Sequence, residues 1–232
     1  MTITDGTSAS TITREEFLAL IDHSLLKPHL TRDDIVAGLE YAAEVRPKAI
    51  CIVPNYLKLA REVLSGTGVV LGTVAGFPNG AMRTDVKVFE SVKAVEDGAT
   101  EVDIVIPIGA LRGGEYDLVR DDIAQVVQAI SPAHVKVILE TAYLTDEEIL
   151  KGAALTSEAG AAFVKTSTGF AASGATPHNI ALLRQGAAPE TQVKAAGGLN
   201  TLADCLAAID AGADRLGISK TRAILDELDA RR

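Results

Sequence analysis

Short apolar runs rich in β-branched residues alternate with longer amphipathic stretches along almost the whole chain. Seven runs are clear, and each has the length of a buried strand rather than of a helix. They cover residues 48–54, 68–76, 100–107, 134–140, 161–167, 191–198 and 214–219, and an eighth at 20–26 follows a short leading helix. Strands that alternate with helices predict a parallel sheet, because each crossover helix returns the chain to the same edge.

The stretches between these runs carry signals for the start and end of helices. We predict helices at 31–45, 83–99, 116–130 and 145–161. Thr31, Thr145 and Thr201 each precede an acidic residue by three positions, which is the pattern of a capping box. Several of these stretches close on glycine, which favours the end of a helix.

Eight strand–helix units in 232 residues predict a (β/α)₈ barrel, a fold of about 250 residues. A doubly wound open sheet is the alternative, but its first strand would usually lead into a glycine-rich dinucleotide turn, which this sequence lacks. No linker-like change of composition divides the chain. We therefore expect one barrel domain at residues 14–232, after a flexible polar segment at residues 1–13.

The charge balance and the cysteine spacing exclude several classes of function. Acidic residues number 31 and basic residues 22, and no basic cluster offsets the net charge of −9, so we expect no nucleic-acid partner. The first 13 residues lack the features of a signal peptide, and no apolar run approaches the roughly 20 residues that span a bilayer. Cys51 and Cys205 match no metal or redox spacing. These features predict a cytoplasmic protein without a membrane partner.

A lysine, Lys165, lies inside the apolar run at 161–167, where an ammonium group is costly unless it is paired or loses its proton. Asp103 and Lys194 lie near the ends of two other predicted strands. The carboxyl ends of barrel strands converge on the face that holds the active site of barrel enzymes. One such lysine alone would more often snorkel to water or form a structural ion pair. Three such residues on one fold favour a site.

Two lysines and a carboxylate suggest carbonyl chemistry. A lysine amine attacks a carbonyl only when it is unprotonated, and the ordinary lysine pKa of about 10.4 makes that form scarce. The charge of Lys194 and an apolar wall would lower the pKa of Lys165. Asp103 could then relay protons, directly or through water. This chemistry needs no cofactor, and the four histidines show neither HxH nor HExxH spacing, so we expect no metal.

Glycines and a serine follow the last two predicted strands. Gly197 and Gly198 end the seventh run, and Gly217 and Ser219 lie in the eighth. Barrels often bind phosphate between these two loops through bare backbone N–H groups. Either pair alone would be read as ordinary turn residues, whereas the two together favour a phosphate site. Lys220 could add charge there or simply be solvated.

The residues resemble the deoxyribose-phosphate aldolases, a family of class I barrel aldolases, nearly from end to end. The motifs that carry the resemblance are LIDHSLLKP, AICIVP, GFPNG, GATEVDIVIPIGAL, KVILET, FVKTSTGF, VKAAGGL and RLGIS. The resemblance implies reversible cleavage of 2-deoxy-D-ribose 5-phosphate into acetaldehyde and D-glyceraldehyde 3-phosphate. It also implies that Lys165 forms the Schiff base, that Lys194 perturbs it, and that Asp103 is the other acid/base group. A homo-oligomer, dimer or larger, is implied as well.

The same resemblance implies further substrate-binding residues. They are Asp22, Ser24, Cys51, Lys136 and Thr168, with Gly169, Gly197, Gly198, Gly217 and Ser219 around the phosphate. Lys136 could pair with Asp22, and Cys51 could equally be a small packing residue. Two positions depart from the family pattern, because Ser24 replaces a common threonine and Lys220 replaces a small residue. Lys220 could strengthen phosphate binding or crowd it.

Two other functions stay open at this stage. A different lysine-dependent barrel aldolase would share the lysines and the carboxylate but would use another donor or a longer phosphorylated sugar. A non-catalytic barrel that binds a phosphorylated metabolite would be expected to lack one of these residues, and the sequence retains all three.

Overall fold

Eight parallel strands pair in chain order, and the last pairs with the first, so the sheet closes into a barrel. This computed structural model describes residues 11–231. The strands are β1 (Ile21–Leu25), β2 (Ala49–Ile52), β3 (Val70–Ala75), β4 (Glu101–Val105), β5 (His134–Ile138), β6 (Phe163–Lys165), β7 (Gln192–Ala196) and β8 (Arg215–Ile218). Each lies within one of the eight predicted runs. The predicted (β/α)₈ barrel is confirmed.

Helices connect successive strands and surround the barrel. They are α1 (Arg14–Leu18), α2 (Arg32–Val45), α3 (Leu57–Val63), α4 (Thr84–Glu96), α5 (Ile108–Arg112), α6 (Tyr116–Ile130), α7 (Asp146–Glu158), α8 (Pro177–Gly186), α9 (Leu202–Asp210) and α10 (Thr221–Asp229). The four predicted helices correspond to α2, α4, α6 and α7. Within residues 11–231, none of the helices is long and apolar enough to span a membrane.

The predicted helix signals act as their chemistry requires. At Thr31, Thr145 and Thr201 the hydroxyl accepts the backbone N–H three residues on, and the acidic side chain there accepts the N–H of the threonine. Each cap is worth about 1 kcal/mol. After α4, Gly98 has a φ of 113°, a conformation that costs glycine little and ends the helix sharply.

The chain before the barrel is described only in part. Residues 1–10 of the predicted flexible segment lie outside the described residues. Ile12 is buried, and Thr13 forms a capping box with Glu16 at the start of α1. The division of the chain into a tail at 1–13 and a domain at 14–232 stays a prediction.

The two faces of each strand bury different chemistry. On β4, Val102 and Ile104 are fully buried in the apolar layer between the sheet and the helices. Glu101 and Asp103 alternate with them and form ion pairs with side chains of other strands across the barrel interior. Because side chains alternate along a strand, one apolar and one charged layer result. The helices pack against the apolar layer, and the charged layer in the barrel interior forms the floor of the candidate site.

Candidate active site

A cavity of about 350 Å³ opens at the carboxyl ends of β1, β6, β7 and β8. Eight of the predicted site residues line it: Ser24, Lys165, Thr168, Gly169, Gly197, Gly198, Gly217 and Ser219. The other five are buried and do not line it: Asp22, Cys51, Asp103, Lys136 and Lys194. Lys165 therefore joins the open cavity to a buried polar layer.

Asp103 is the carboxylate that the buried lysines share. Its Oδ2 atom accepts hydrogen bonds from Lys165 Nζ at 2.7 Å and from Lys194 Nζ at 2.8 Å. Its Oδ1 atom accepts one from Lys136 Nζ at 3.2 Å. Burial alone would raise the pKa of Asp103, but the three ammonium groups outweigh it and hold the pKa well below its usual range. Asp103 is therefore an anion in the folded protein.

Lys194 has two carboxylates within reach. Its Nζ lies 2.6 Å from Asp22 Oδ2 as well as 2.8 Å from Asp103 Oδ2. Burial disfavours its charge, yet the two carboxylates together raise the pKa of Lys194 above its ordinary value. Lys194 therefore remains a cation next to Lys165.

In the described part of the chain, Lys165 has one carboxylate partner, Asp103, which it shares with Lys194. The Lys165 side chain ends β6 and is almost completely buried, although it reaches the cavity. Burial lowers the pKa of Lys165, the charge of Lys194 lowers it further, and Asp103 opposes both without reversing the shift. Two neighbouring lysines thus differ in proton affinity because one has two anionic partners and the other has a share of one.

Glu101 and Arg215 complete the charged layer and were not predicted. Arg215 Nε donates to Asp22 Oδ1 at 2.8 Å, and its guanidinium also lies 2.9 Å from Glu101 Oε2. Lys136 Nζ contacts the same Glu101 oxygen and lies 3.5 Å from Asp22 Oδ2. The available signal was the alternation of side chains, which puts Glu101 on the face of Asp103 and Arg215 on the face of Gly217.

Two other predicted residues have defined surroundings. Cys51 Sγ donates to the Thr73 carbonyl at 3.8 Å, and burial raises the pKa of its thiol to about 11, so it stays protonated. Thr168 donates its backbone N–H to Glu140 Oε2 at 3.2 Å, and its hydroxyl contacts the same oxygen. Glu140 thus fixes the loop after β6. It adopts a φ of 57°, which is uncommon for a residue other than glycine.

Glycines allow the loops of the cavity to approach each other closely. Gly197 and Gly198 have φ values of 76° and 81°. A β-carbon added at Gly197 would lie 3.2 Å from the Cα of Gly174 and 3.3 Å from the Cα of Gly169. Backbone N–H groups are therefore accessible there without side chains in front of them.

The mouth of the cavity contains residues that were not among the predicted site residues. Lys27 and Phe170 line it, and Lys27 Nζ lies 4.9 Å from the centre of the Phe170 ring. Phe77 packs edge to face against Phe170 at 5.4 Å between ring centres. Lys220 lines the cavity at the start of α10. The mouth is thus basic although the chain has a net charge of −9.

A closed parallel barrel with a cavity at its carboxyl face and a lysine of lowered pKa on the cavity floor has the features of a (β/α)₈-barrel enzyme. The chain belongs to the DeoC/LacD family of aldolases, whose model matches residues 17–227. The resemblance to the family drawn from the motifs is confirmed. The protein is therefore an aldolase, an enzyme of the aldehyde-lyase class.

The similarity to named relatives covers most of the chain. It is 51% identical to deoxyribose-phosphate aldolase from Thermococcus gammatolerans over 203 residues, which are 86% of this chain and 90% of that protein. A putative deoxyribose-phosphate aldolase from Coccidioides immitis superposes with a TM-score of 0.89 at 40% identity, covering 92% of this chain and 86% of the other. The tetrameric deoxyribose-phosphate aldolase from Aeropyrum pernix gives a TM-score of 0.88 at 31% identity, covering 95% and 94%.

Replacing Lys194 by methionine should make Lys165 harder to deprotonate. The variant removes the adjacent cation and leaves Lys165 as the closer partner of Asp103, and both changes favour the ammonium form. We expect the acid limb of the kcat/KM profile for aldol cleavage to move to higher pH by at least about one unit, with lower activity at neutral pH. Lys194→Arg keeps the charge and should move the limb far less. An unchanged profile in Lys194→Met would contradict this electrostatic coupling.

Proposed function

We propose that this aldolase reversibly cleaves 2-deoxy-D-ribose 5-phosphate into acetaldehyde and D-glyceraldehyde 3-phosphate through an imine on Lys165. The observation that carries the proposal is the lowered pKa of Lys165, a lysine that reaches the cavity while its neighbour Lys194 stays charged. The names of the relatives support the choice of substrate.

In the first step the neutral amine of Lys165 attacks the aldehyde carbon of the open-chain sugar. A carbon–nitrogen bond forms, and the carbinolamine then loses its oxygen as water to give a protonated imine. Loss of water requires a proton on the departing oxygen. Asp103 contacts both lysines, so a proton can pass between Lys194 and the reacting group through this carboxylate or through a water beside it.

In the second step the protonated imine accepts the electrons of the bond that breaks. The sugar hydroxyl at C3 loses its proton to the relay of Asp103 and a neighbouring water, the C2–C3 bond breaks, and D-glyceraldehyde 3-phosphate leaves; the same relay later returns a proton to the enamine carbon. The remaining two carbons form an enamine on Lys165. Protonation of the enamine carbon and hydrolysis of the resulting imine release acetaldehyde and restore the amine, which balances the cycle. Outside that proton transfer Lys194 is a cation, because two carboxylates hold its charge.

The phosphate end of the substrate would lie away from Lys165, at the loops after β7 and β8. Bare N–H groups at Gly197 and Gly198 and the hydroxyl of Ser219 suit an oxyanion. Lys220 also lines the cavity at this end, which favours anion binding over the crowding considered above. The proposal includes Ser24 and Thr168 as hydroxyl contacts for the sugar. Asp22, Cys51 and Lys136 would act from below the cavity floor.

The assembly and location of the enzyme belong to the same proposal. The relative from Aeropyrum pernix is described as tetrameric, which supports a homo-oligomer here, dimer or larger. We also propose the cytoplasmic location that the sequence predicts. An aldolase with a different donor is the second candidate, because a neutral Lys165 could form an imine with any small carbonyl compound that enters the cavity.

Cleavage of 2-deoxy-D-ribose 5-phosphate by the purified chain, with both products identified, tests the proposal. Wild-type protein should release acetaldehyde and D-glyceraldehyde 3-phosphate in equal amounts. Lys165→Met, which matches the length of lysine, should lose about three orders of magnitude or more in turnover because it lacks the amine. Lys58→Met, at an exposed lysine, is the matched control. Turnover retained in Lys165→Met, or cleavage of other sugars only, would overturn the proposal.

Substitution of Ser219 by glutamate tests the phosphate end separately. A carboxylate beside the bare N–H groups would repel a phosphate dianion and leave an uncharged sugar little affected. We expect kcat/KM to fall at least about tenfold more for 2-deoxyribose 5-phosphate than for free 2-deoxyribose, a differential of about 1.4 kcal/mol. Ser219→Ala controls for loss of the hydroxyl. Equal losses on the two substrates would rule out a phosphate contact here.

A further inference from the structure

Below Lys165 lies a pair of buried charges that the proposed chemistry does not use. Glu101 opens β4 and Arg215 opens β8, and both are about 5% exposed. The guanidinium of Arg215 lies 2.9 Å from Glu101 Oε2 across the barrel interior. Neither residue lines the cavity, so neither can touch a substrate there.

Two series of ion pairs connect this pair to the lysines above it. Glu101 contacts Lys136, whose Nζ lies 3.2 Å from Asp103 Oδ1, and Asp103 in turn accepts a hydrogen bond from Lys165. On the other side, Arg215 contacts Asp22 at 2.7 Å.

The second series continues from Asp22 to Lys194 at 2.6 Å, and Lys194 shares Asp103 with Lys165. A change at the bottom of the barrel is therefore transmitted to Lys165 from two directions. It acts both as a change in local charge and as a change in how tightly Asp103 is held by its other partners.

The charge balance of this layer gives the effect a definite sign. Among residues 11–231, three carboxylates face four basic side chains in the barrel interior: Asp22, Glu101 and Asp103 face Lys136, Lys165, Lys194 and Arg215. The layer therefore has one excess positive charge when Lys165 is protonated and none when Lys165 is neutral. The groups around Lys165 on the other strands are Asp22, Cys51, Asp103, Lys136 and Lys194, with Cys51 uncharged as a thiol. Lys27, Glu140 and Lys220 lie toward the carboxyl ends of the strands, and the variants below leave them unchanged.

We propose that the Glu101–Arg215 pair sets how readily Lys165 gives up its proton, and that both act as positioning residues through Asp103 and Asp22. The functional meaning of this rests on the role proposed for Lys165. Removing the negative charge of Glu101 increases the positive excess and frees Lys136 to hold Asp103, so Lys165 loses its proton more easily. Removing Arg215 relieves the excess and leaves Asp22 to draw Lys194 away, so Lys165 keeps its proton more strongly.

A pair that merely stabilises the fold would behave differently. Removing either partner of a buried ion pair leaves the other charge uncompensated and lowers stability, whichever partner is removed. A purely structural role predicts that both variants lose stability, and it gives no reason for the pKa of Lys165 to change. Opposite shifts from opposite charges therefore separate the two roles.

The experiment follows the titration of Lys165 itself. Protein with ¹³Cε-labelled lysine has ten labelled side chains, and the signal absent from Lys165→Arg identifies Lys165. We expect Glu101→Gln to lower the titration midpoint by about one pH unit and Arg215→Met to raise it by about as much. The double variant, which removes both charges, should return toward the wild-type midpoint. Arg215→Lys keeps the positive charge, so the Lys165 midpoint in this variant should stay near the wild-type value.

The chain offers a matched control outside the barrel interior. Lys87 and Asp122 form an equally buried ion pair at 2.6 Å between α4 and α6, where Lys87 also donates to the Val105 carbonyl at 2.7 Å. Asp122→Asn should lower stability without moving the Lys165 midpoint. If one single variant does not fold, the other single variant against the double variant still measures the effect of one charge.

Shifts of Lys165 in the same direction in both single variants, or no shift in either, would overturn the inference. The proposed function fails in a different way, because its failure would be a Lys165 that titrates as described but supports no aldol cleavage. Titration of Lys165 and the assay of aldol cleavage therefore separate a failure of this inference from a failure of the proposed function.

Discussion

The structure depends on one carboxylate that is shared by three buried lysines. Asp103 lies within hydrogen-bonding distance of Lys136, Lys165 and Lys194, and all three lysines are almost completely buried. Burying an ammonium group unpaired is prohibitive, whereas sharing one anion among several cations leaves each of them incompletely compensated. The cation with the weakest compensation loses its proton most easily, and here that cation is Lys165.

The barrel makes this sharing possible. A closed sheet of eight parallel strands directs alternate side chains into one interior, so residues far apart in sequence meet there without loops to place them. The apolar layer outside the sheet supplies most of the stabilising burial, because it packs the helices against the strands. The interior can then hold a costly charged layer whose value lies in chemistry rather than in stability.

Much of the fold could be predicted because its signals are local. β-Branched runs and capping boxes depend on neighbouring residues, and they predicted every strand and the bounds of helices such as α2 closely. Asp103, Lys165 and Lys194 stood out because charged residues inside apolar runs need an explanation. Their roles in the reaction stay predictions.

The rest of the site depends on three-dimensional closure that no local pattern encodes. Glu101 and Arg215 open their strands, where a charged residue usually indicates a solvent-exposed strand end, so their burial follows only from the paired register of the barrel. Lys27 and Phe170 lie in loops that have no periodic hydrophobic pattern, and they come into contact only when the loops after β1 and β6 fold beside each other. Lys136 does pair with Asp22, at 3.5 Å, but its closer contacts with Glu101 and Asp103 carried no signal in the sequence.

Borohydride trapping with acetaldehyde tests the central claim most directly, because only a neutral, reactive lysine forms the imine that borohydride reduces. Intact mass and peptide mapping should show one ethyl group per chain, located on Lys165. The same treatment of Lys165→Met should leave the chain unmodified at this position. Failure of a folded wild-type chain to trap, or modification spread over exposed lysines with none at Lys165, would contradict the account.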